Sequence, residues 1–235
     1  IEFLMGENCK MWDEYNRALY NLKVDILNEE LIDTKELTFG MRNFKTNGTH
    51  FEINGRKVFL RGKHDAAVFP LTGHTPMNEE EWFRLFSIAK EYGINHYRFH
   101  SYCPPEAAFT AADKLGIYIQ AELPFWGGLD SDSMANTLKD EAFAMINEYA
   151  NHPSFVMFSP GNEIWAGHER VENIISAIKK YDNKLLYASG SNNNIGYQLP
   201  GKSADFFVAA RVPQDSDSSI FHIRLSHCFA DAWEG

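Results

Sequence analysis

Four stretches of this chain end or follow an apolar run with residues that can do chemistry: "GKHD" at 62–65, "RFHSY" at 98–102, "AELPFW" at 121–126 and "GNEIW" at 161–165. The last is the most pointed. "FVMFSP" stops at a proline and a glycine, and the chain then presents Asn162, Glu163 and Trp165. A carboxyl group in an apolar, aromatic-walled cleft has its charged form disfavoured, which moves its pKa towards the range of a general acid. Asn162 can donate to a hydroxyl, and Trp165 can offer a flat apolar face to a ring. A plainer reading stands beside this one: Glu163 as a solvated residue capping the next helix.

Arg98 and His100 lie two apart on one predicted strand, so their side chains point to the same side. Arg98 can hold a carboxylate in its working geometry and charge state, or it can belong to a structural ion pair. His100 taken alone reads as a hydrogen-bonded core histidine. Glu122 can bind hydroxyls and Trp126 can form a wall, or both can be packing at a sheet end. His64 and Asp65, with His100 and His152, raise metal coordination. The chain has no HxH and no HExxH, and neither a metal nor another cofactor is expected. Ser189 and Ser191 flank Gly190 without a GxSxG elbow, which argues against a serine hydrolase. Trp82, Phe83 and Phe86 sit at helical spacing and read as core.

Several elements must position these residues. Residues 1–57 read as β: "ALYNLKVDIL" alternates, "KELTFGMRNFKT" and "THFEINGRKVFLRG" continue in short strands, and Asn54-Gly55 is a hairpin signal. From residue 58 the rhythm changes. Strands are expected at "KVFLRG", "INHYRFH", "IYIQAELP", "PSFVMFSP", "KLLYASG" and "ADFFVAA". Helices are expected between them at "EEEWFRLFSIAKEYG", "PPEAAFTAADKLG", "SMANTLKDEAFAMINEYANH" and "HERVENIISAIKKYD". Asn78 and Glu81 resemble a capping box, and Gly93 and Gly116 are helix stops. Nearly continuous apolar strands alternating with helices predict a parallel sheet covered by helices. No GxGxxG or GxxxxGK[ST] follows a strand, which weighs against a nucleotide-binding open sheet. Polar and aromatic residues gather just after the strands, where a (β/α)8 TIM barrel carries its active site. About six strands are expected after residue 58, so the predicted α/β barrel is incomplete at its C-terminus.

Composition sets outer limits. The chain has 235 residues, 44% of them hydrophobic, and a net charge of −10. That balance predicts no nucleic-acid partner and no attraction to an anionic membrane surface, both of which need clustered cations. No apolar run approaches the roughly 20 residues of a membrane-spanning helix. Cys9, Cys103 and Cys228 are widely spaced and form no CxxC pair, which argues against a disulfide scaffold or zinc ribbon.

Together, "FLRGKHD", "GINHYRFHSYCPPEAAFTAADKLGIYIQAELPFW" and "HPSFVMFSPGNEIW" resemble glycoside hydrolase family 2, the β-galactosidase and β-glucuronidase family. The likeness runs in order from about residue 11 to about residue 190. "DTKELTFGMRNFKTNGTHFEINGRKVFLRG" resembles the end of that family's immunoglobulin-like β-sandwich and its entry into the barrel. The resemblance implies two units, 1–57 as the last part of the sandwich and 58–235 as the first βα units of the barrel. It implies that Glu163 is the general acid/base of a retaining glycosidase and that Asn162 binds the hydroxyl next to the anomeric carbon. Arg98 matches an arginine near the nucleophile. His100 stands one residue closer to the arginine than in the common pattern. His64, Asp65, Glu122 and Trp126 occupy positions that line the sugar pocket, with Trp165 part of its wall. The family's nucleophile is a glutamate after the seventh strand. "SHCFADAWEG" is placed beyond the sixth, and neither Asp231 nor Glu234 is assigned to that role.

The chain is therefore expected to be an internal fragment of a larger enzyme, inactive by itself and with two open sheet edges. Carbohydrate is the expected partner, oligomerisation is compatible, and the family resemblance points to a periplasmic or extracellular location. Two alternatives remain: a non-catalytic carbohydrate-binding barrel, and a metal-dependent hydrolase using His64, Asp65 and His100. The sugar and its linkage stay open.

Overall fold

The computed structural model describes residues 4–191, 201–209 and 228–230. Antiparallel strands come first. β1 (Tyr20–Asn28) pairs with β2 (Glu30–Phe39), and this hairpin leaves Leu22, Val24, Ile26, Leu27 and Ile32 exposed. β3 (Phe44–Asn47), β4 (His50–Ile53) and β5 (Arg56–Val58) form an antiparallel meander. The hairpin predicted at Asn54-Gly55 is present. Both residues have positive φ, 53° and 80°, as the favoured two-residue turn requires, and Ile53 pairs with Arg56 across it.

A parallel sheet follows. Its strands are β6 (Gly62–Asp65), β7 (His96–Phe99), β8 (Tyr118–Glu122), β10 (Phe155–Ser159), β12 (Leu186–Ser191), β13 (Phe206–Ala209) and β14 (Cys228–Ala230), adjacent in that order. Two short strands, β9 (Trp126–Gly128) and β11 (Asn162–Ala166), extend the sheet beyond the ends of β8 and β10. Among the described residues, four helices connect the strands from β6 to β12: α1 (Glu79–Glu91), α2 (Glu106–Leu115), α3 (Asp132–Tyr149) and α4 (His168–Tyr181). This is the strand-and-helix order of a (β/α) barrel, with seven parallel strands on the path among the described residues.

Three details differ from the sequence reading. The first barrel strand is "GKHD", not "KVFLRG". Val58 is buried and ends the meander, while the strand that enters the barrel is polar and shows no apolar run. Phe83 is exposed although Trp82 and Phe86 are fully buried, because 82 and 86 share one helix face and 83 lies one position round. The segment "SHCFADAWEG" contributes β14, so seven strands rather than six are seen; Asp231 and Glu234 fall outside the described residues.

Helix starts follow the residues. The Asn78 side chain accepts from Glu81 N at 2.9 Å, and Ser131 accepts from Met134 N at 3.2 Å. Gly116 ends α2 with φ 72°.

Side chains alternate across the parallel strands, and two cores result. Tyr97, Phe99, Ile119, Ala121 and Phe158 pack with Trp82, Phe86, Phe109, Ile146 and Ile175 of the helices. Tyr118, Val156, Met157, Leu186, Ala188, Phe206 and Val208 pack with Trp12 and with Phe44, Phe51, Ile53 and Val58 of the meander. The meander thus covers an apolar surface at the starts of the barrel strands. Arg42 ties it there, donating to Pro153 O and Lys184 O, each at 2.8 Å. With one end of the strands occupied by this apolar plug, polar side chains are left for the other.

Candidate active site

The residues singled out by type and spacing converge at the C-terminal ends of β6, β7, β8 and β10. On β7, Arg98 is 2% exposed, and on β8, Glu122 is fully buried. Arg98 Nε donates to Glu122 Oε1 at 2.6 Å and its Nη2 to Glu122 Oε2 at 3.3 Å. Ser101 N donates to Glu122 Oε2 at 2.8 Å, and Gln120 Nε2 to Oε1 at 3.1 Å. Burying these two charges is tolerable because the pair is bidentate and the carboxylate has further donors. Both Glu122 oxygens are thereby engaged below the rim.

Arg98 also reaches Asn162, donating from Nη2 to Oδ1 at 2.6 Å. A guanidinium can only donate, so the amide oxygen must be the atom facing it. That fixes Asn162 with Nδ2 turned away. Nδ2 is buried and has no hydrogen-bond partner among the described residues, which leaves it to donate to a ligand.

The local backbone explains why Asn162 and Glu163 sit where they do. β10 ends at Ser159, and Gly161 takes φ 139°; a β-carbon there would stand 2.4 Å from Phe125 O. Only glycine allows this approach. The neighbouring bonds use it: Asn162 N donates to Phe125 O at 2.9 Å, and Ser191 N to Gly161 O at 2.8 Å. Asn162 is thus held between β9 and β12. Glu163 follows with φ 45°, a left-handed conformation that costs a non-glycine residue on the order of 1–3 kcal/mol. It does not cap α4, whose N-cap is Gly167 with no side-chain bond. Its Oε2 accepts from Trp126 Nε1 at 3.0 Å.

Aromatic rings extend from this carboxylate. His100 meets Trp126 edge-on with centroids 5.0 Å apart, and His64 meets His100 edge-on at 4.9 Å. Asp65 is buried beside them, accepting from Tyr102 Oη at 2.6 Å and from Lys63 Nζ at 2.8 Å. Burial pushes its pKa up, but the Lys63 charge and the bonds from Lys63, Tyr102 and Ala67 N outweigh that and hold it below the usual carboxylate range. Trp126 and Trp165 are both exposed. His152 lies elsewhere, its Nδ1 2.7 Å from Asp113 Oδ2. Among the described residues no group of three or more His, Cys, Asp or Glu could hold a metal ion, and no helix is long and apolar enough to cross a membrane.

Sequence reasoning missed part of the network. Gln120 Nε2 also donates to Ser191 Oγ at 3.0 Å, and Ser191 Oγ to Ser159 Oγ at 3.1 Å, all three residues fully buried. A signal was present: polar residues alternate through both "HYRFH" and "YIQAE" inside otherwise apolar strands. His96, Arg98 and His100 form one such row, and burial, then the charge of Arg98, pushes His96 down to about 3.

The sequence model described as "Glycosyl hydrolases family 2, TIM barrel domain" matches residues 44–197. The chain belongs to this family. A putative beta-glucuronidase of Formosa agariphila is 33% identical over 169 residues, covering 70% of this family 2 chain and 20% of the relative. A beta-glucuronidase of Paenibacillus borealis is 29% identical over 177 residues, covering 68% and 29%. The chain thus spans about a fifth to a third of these relatives' length. Among solved structures, the beta-glucuronidase of Parabacteroides merdae with glycerol in its active site superposes with a TM-score of 0.78 at 21% identity, covering 94% of this chain and 30% of that one. A beta-glucuronidase of Ruminococcus gnavus in complex with a C6-substituted uronic isofagomine gives 0.76 at 23% identity, covering 87% and 37%. At these identities the structural likeness supports the fold of the family 2 barrel.

Proposed function

We propose that the full-length protein is a retaining glycoside hydrolase acting on terminal β-glycosides of the glucuronide or galactoside kind. Glu163 serves as its general acid/base. The observation that carries this reading is the Arg98–Asn162–Glu163 arrangement. Arg98 grips the oxygen of Asn162, Asn162 points a buried N–H away from it, and Glu163 follows on the rim held by an indole.

In this reading Asn162 Nδ2 donates to the sugar hydroxyl beside the anomeric carbon. Glu163 protonates the leaving glycosidic oxygen while a second carboxylate, about 5–5.5 Å away, attacks the anomeric carbon. Glu163 then takes a proton from the water that releases the sugar. No described residue is assigned as the nucleophile. Glu122, with both oxygens engaged, acts by holding Arg98 rather than by touching sugar. His64, Asp65, His100 and Trp126 shape the pocket wall on the side of β6 and β7.

The test is Glu163→Gln in the full-length protein, assayed on alkyl β-glucuronides and β-galactosides, whose leaving groups need protonation. A fall in kcat of about 100-fold or more is expected, at the size of a general-acid contribution. Wild-type rates on those substrates would remove the assignment. The first-formed sugar should keep the β configuration when followed by NMR, and an inverted product would rule out the two-step route.

A further inference from the structure

Asn162 belongs to a closed ring of buried hydrogen bonds that runs from β7 to β12 and back. In one half, Arg98 grips both Glu122 and the oxygen of Asn162. The other half leaves Glu122 through Gln120, whose Nε2 donates to Glu122 Oε1 at 3.1 Å and to Ser191 Oγ at 3.0 Å. Ser191 Oγ donates to Ser159 Oγ at 3.1 Å, and Ser159 Oγ donates to Gly161 O at 3.0 Å. The same carbonyl accepts from Ser191 N at 2.8 Å, and its carbon carries the nitrogen of Asn162. Strand register sets the members side by side: Arg98 is paired with Gln120, Glu122 with Ser159 and Ser191 with Asn162.

Every proton in this second half has one direction. An amide nitrogen carries two hydrogens and a hydroxyl one. Gln120 directs its two at Glu122 and Ser191, and each serine passes its one along. Gln120 Oε1 is thereby turned away, buried and without a hydrogen-bond partner among the described residues. An unmet buried acceptor is costly, so a side chain that only filled this space would be apolar. Gln120, Ser159 and Ser191 are all fully buried, where linked hydrogen bonds strengthen one another.

We propose that Gln120 is a positioning residue for Asn162, acting through Ser191 and Ser159 on the Gly161 carbonyl. It thereby sets how well the enzyme reads the hydroxyl beside the anomeric carbon. The proposal rests on the reading of Asn162 as the donor to that hydroxyl. Arg98 fixes the oxygen of the Asn162 amide, and the serines fix the peptide from which its side chain springs. With both held, Nδ2 has one direction. Without Gln120 nothing ties the serines to Glu122, and the two anchors of Asn162 can shift against each other. Glu122 keeps its bonds from Arg98 and from Ser101 N, so the buried ion pair itself survives.

The experiment compares Gln120→Met with wild type in the full-length protein. Methionine keeps the volume and removes both donors. The probes are 4-nitrophenyl β-glucuronide and β-galactoside and their 2-deoxy analogues, which lack the hydroxyl that Asn162 would bind. Each substrate is compared with itself across variants, so its intrinsic reactivity cancels. The expected loss of kcat/KM is about 10- to 100-fold on the parent glycosides, the scale of a misplaced contact, against less than about threefold on the 2-deoxy analogues. Ser191→Ala cuts the next link and should show the same selectivity; it carries the test alone if Gln120→Met does not fold. The double variant should lose no more than the worse single, because both break one chain. Equal losses on parent and 2-deoxy glycosides, no loss on either, or additive losses in the double variant would overturn the proposal. Failure of the reading of Asn162 shows separately, as an Asn162→Ala variant that loses as much on the 2-deoxy analogues as on the parents.

Discussion

Replacing Arg98 with methionine would leave Glu122 charged, fully buried and without its counter-ion. The side chains are 2% and 0% exposed, and the guanidinium supplies two of the four hydrogen bonds to that carboxylate. Removing one partner of such a pair costs about 3–5 kcal/mol, because the remaining charge keeps its desolvation penalty. For a domain of this size each kcal/mol shifts Tm by about 2–4 °C, so a fall of roughly 6–20 °C is expected. A double variant, Arg98→Met with Glu122→Gln, removes the buried charge yet leaves an oxygen for Ser101 N and Gln120 Nε2. It should regain at least half of the lost stability. Activity should not return, because Asn162 Oδ1 has lost the donor that orients it. Thermal unfolding by circular dichroism, with steady-state hydrolysis on the same full-length preparations, reads both quantities. A single variant that loses less than about 1 kcal/mol, as exposed pairs do, would refute the reasoning. So would a double variant no more stable than the single, or one that regains activity.

Two further outcomes follow from the same geometry. Gly161→Ala puts a β-carbon 2.4 Å from Phe125 O, so β9 and β11 must separate and Asn162 must move; kcat/KM should fall about 100-fold, the scale of a 1 Å misplacement, and unchanged kinetics would show that this approach does not matter. His96 binds its proton less readily folded than unfolded, its pKa being pushed down to about 3 by burial and by Arg98. Its contribution is therefore fully present above about pH 6.5 and is lost as pH falls towards 3, on the order of 5 kcal/mol in all. Urea midpoints measured across that range should fall less steeply for His96→Gln, and parallel curves would contradict the account.

The barrel was legible because helices and parallel strands leave strong periodic signals. "EEEWFRLFSIAKEYG", "INHYRFH" and "PSFVMFSP" each fall where a helix or strand is seen. The entry strand was not, because "GKHD" is polar and its stability comes from pairing with β7 rather than from its own apolar content. Asn162 and Glu163 were legible as polar residues presented just after a strand end. Their scaffold was less so: the approach of Gly161 to Phe125 joins residues 36 positions apart, and single-chain periodicity carries no trace of it. Glu122 shows the same limit. Its residue type suggested contact with hydroxyls, whereas its surroundings, set by β7 and the loop at Ser101, make it the counter-ion of Arg98.

The central claim is that Glu163 gives a proton to the leaving glycosidic oxygen and then takes one from the attacking water. The direct test is Glu163→Ala in the full-length protein, acting on an aryl β-glycoside with a good leaving group, with and without azide. Without azide, turnover should stall after the first step, since no base activates water. With azide, which needs no base, turnover should return and the product should be the β-glycosyl azide. A variant that hydrolyses the substrate at the wild-type rate, or one that azide does not rescue, would contradict the account.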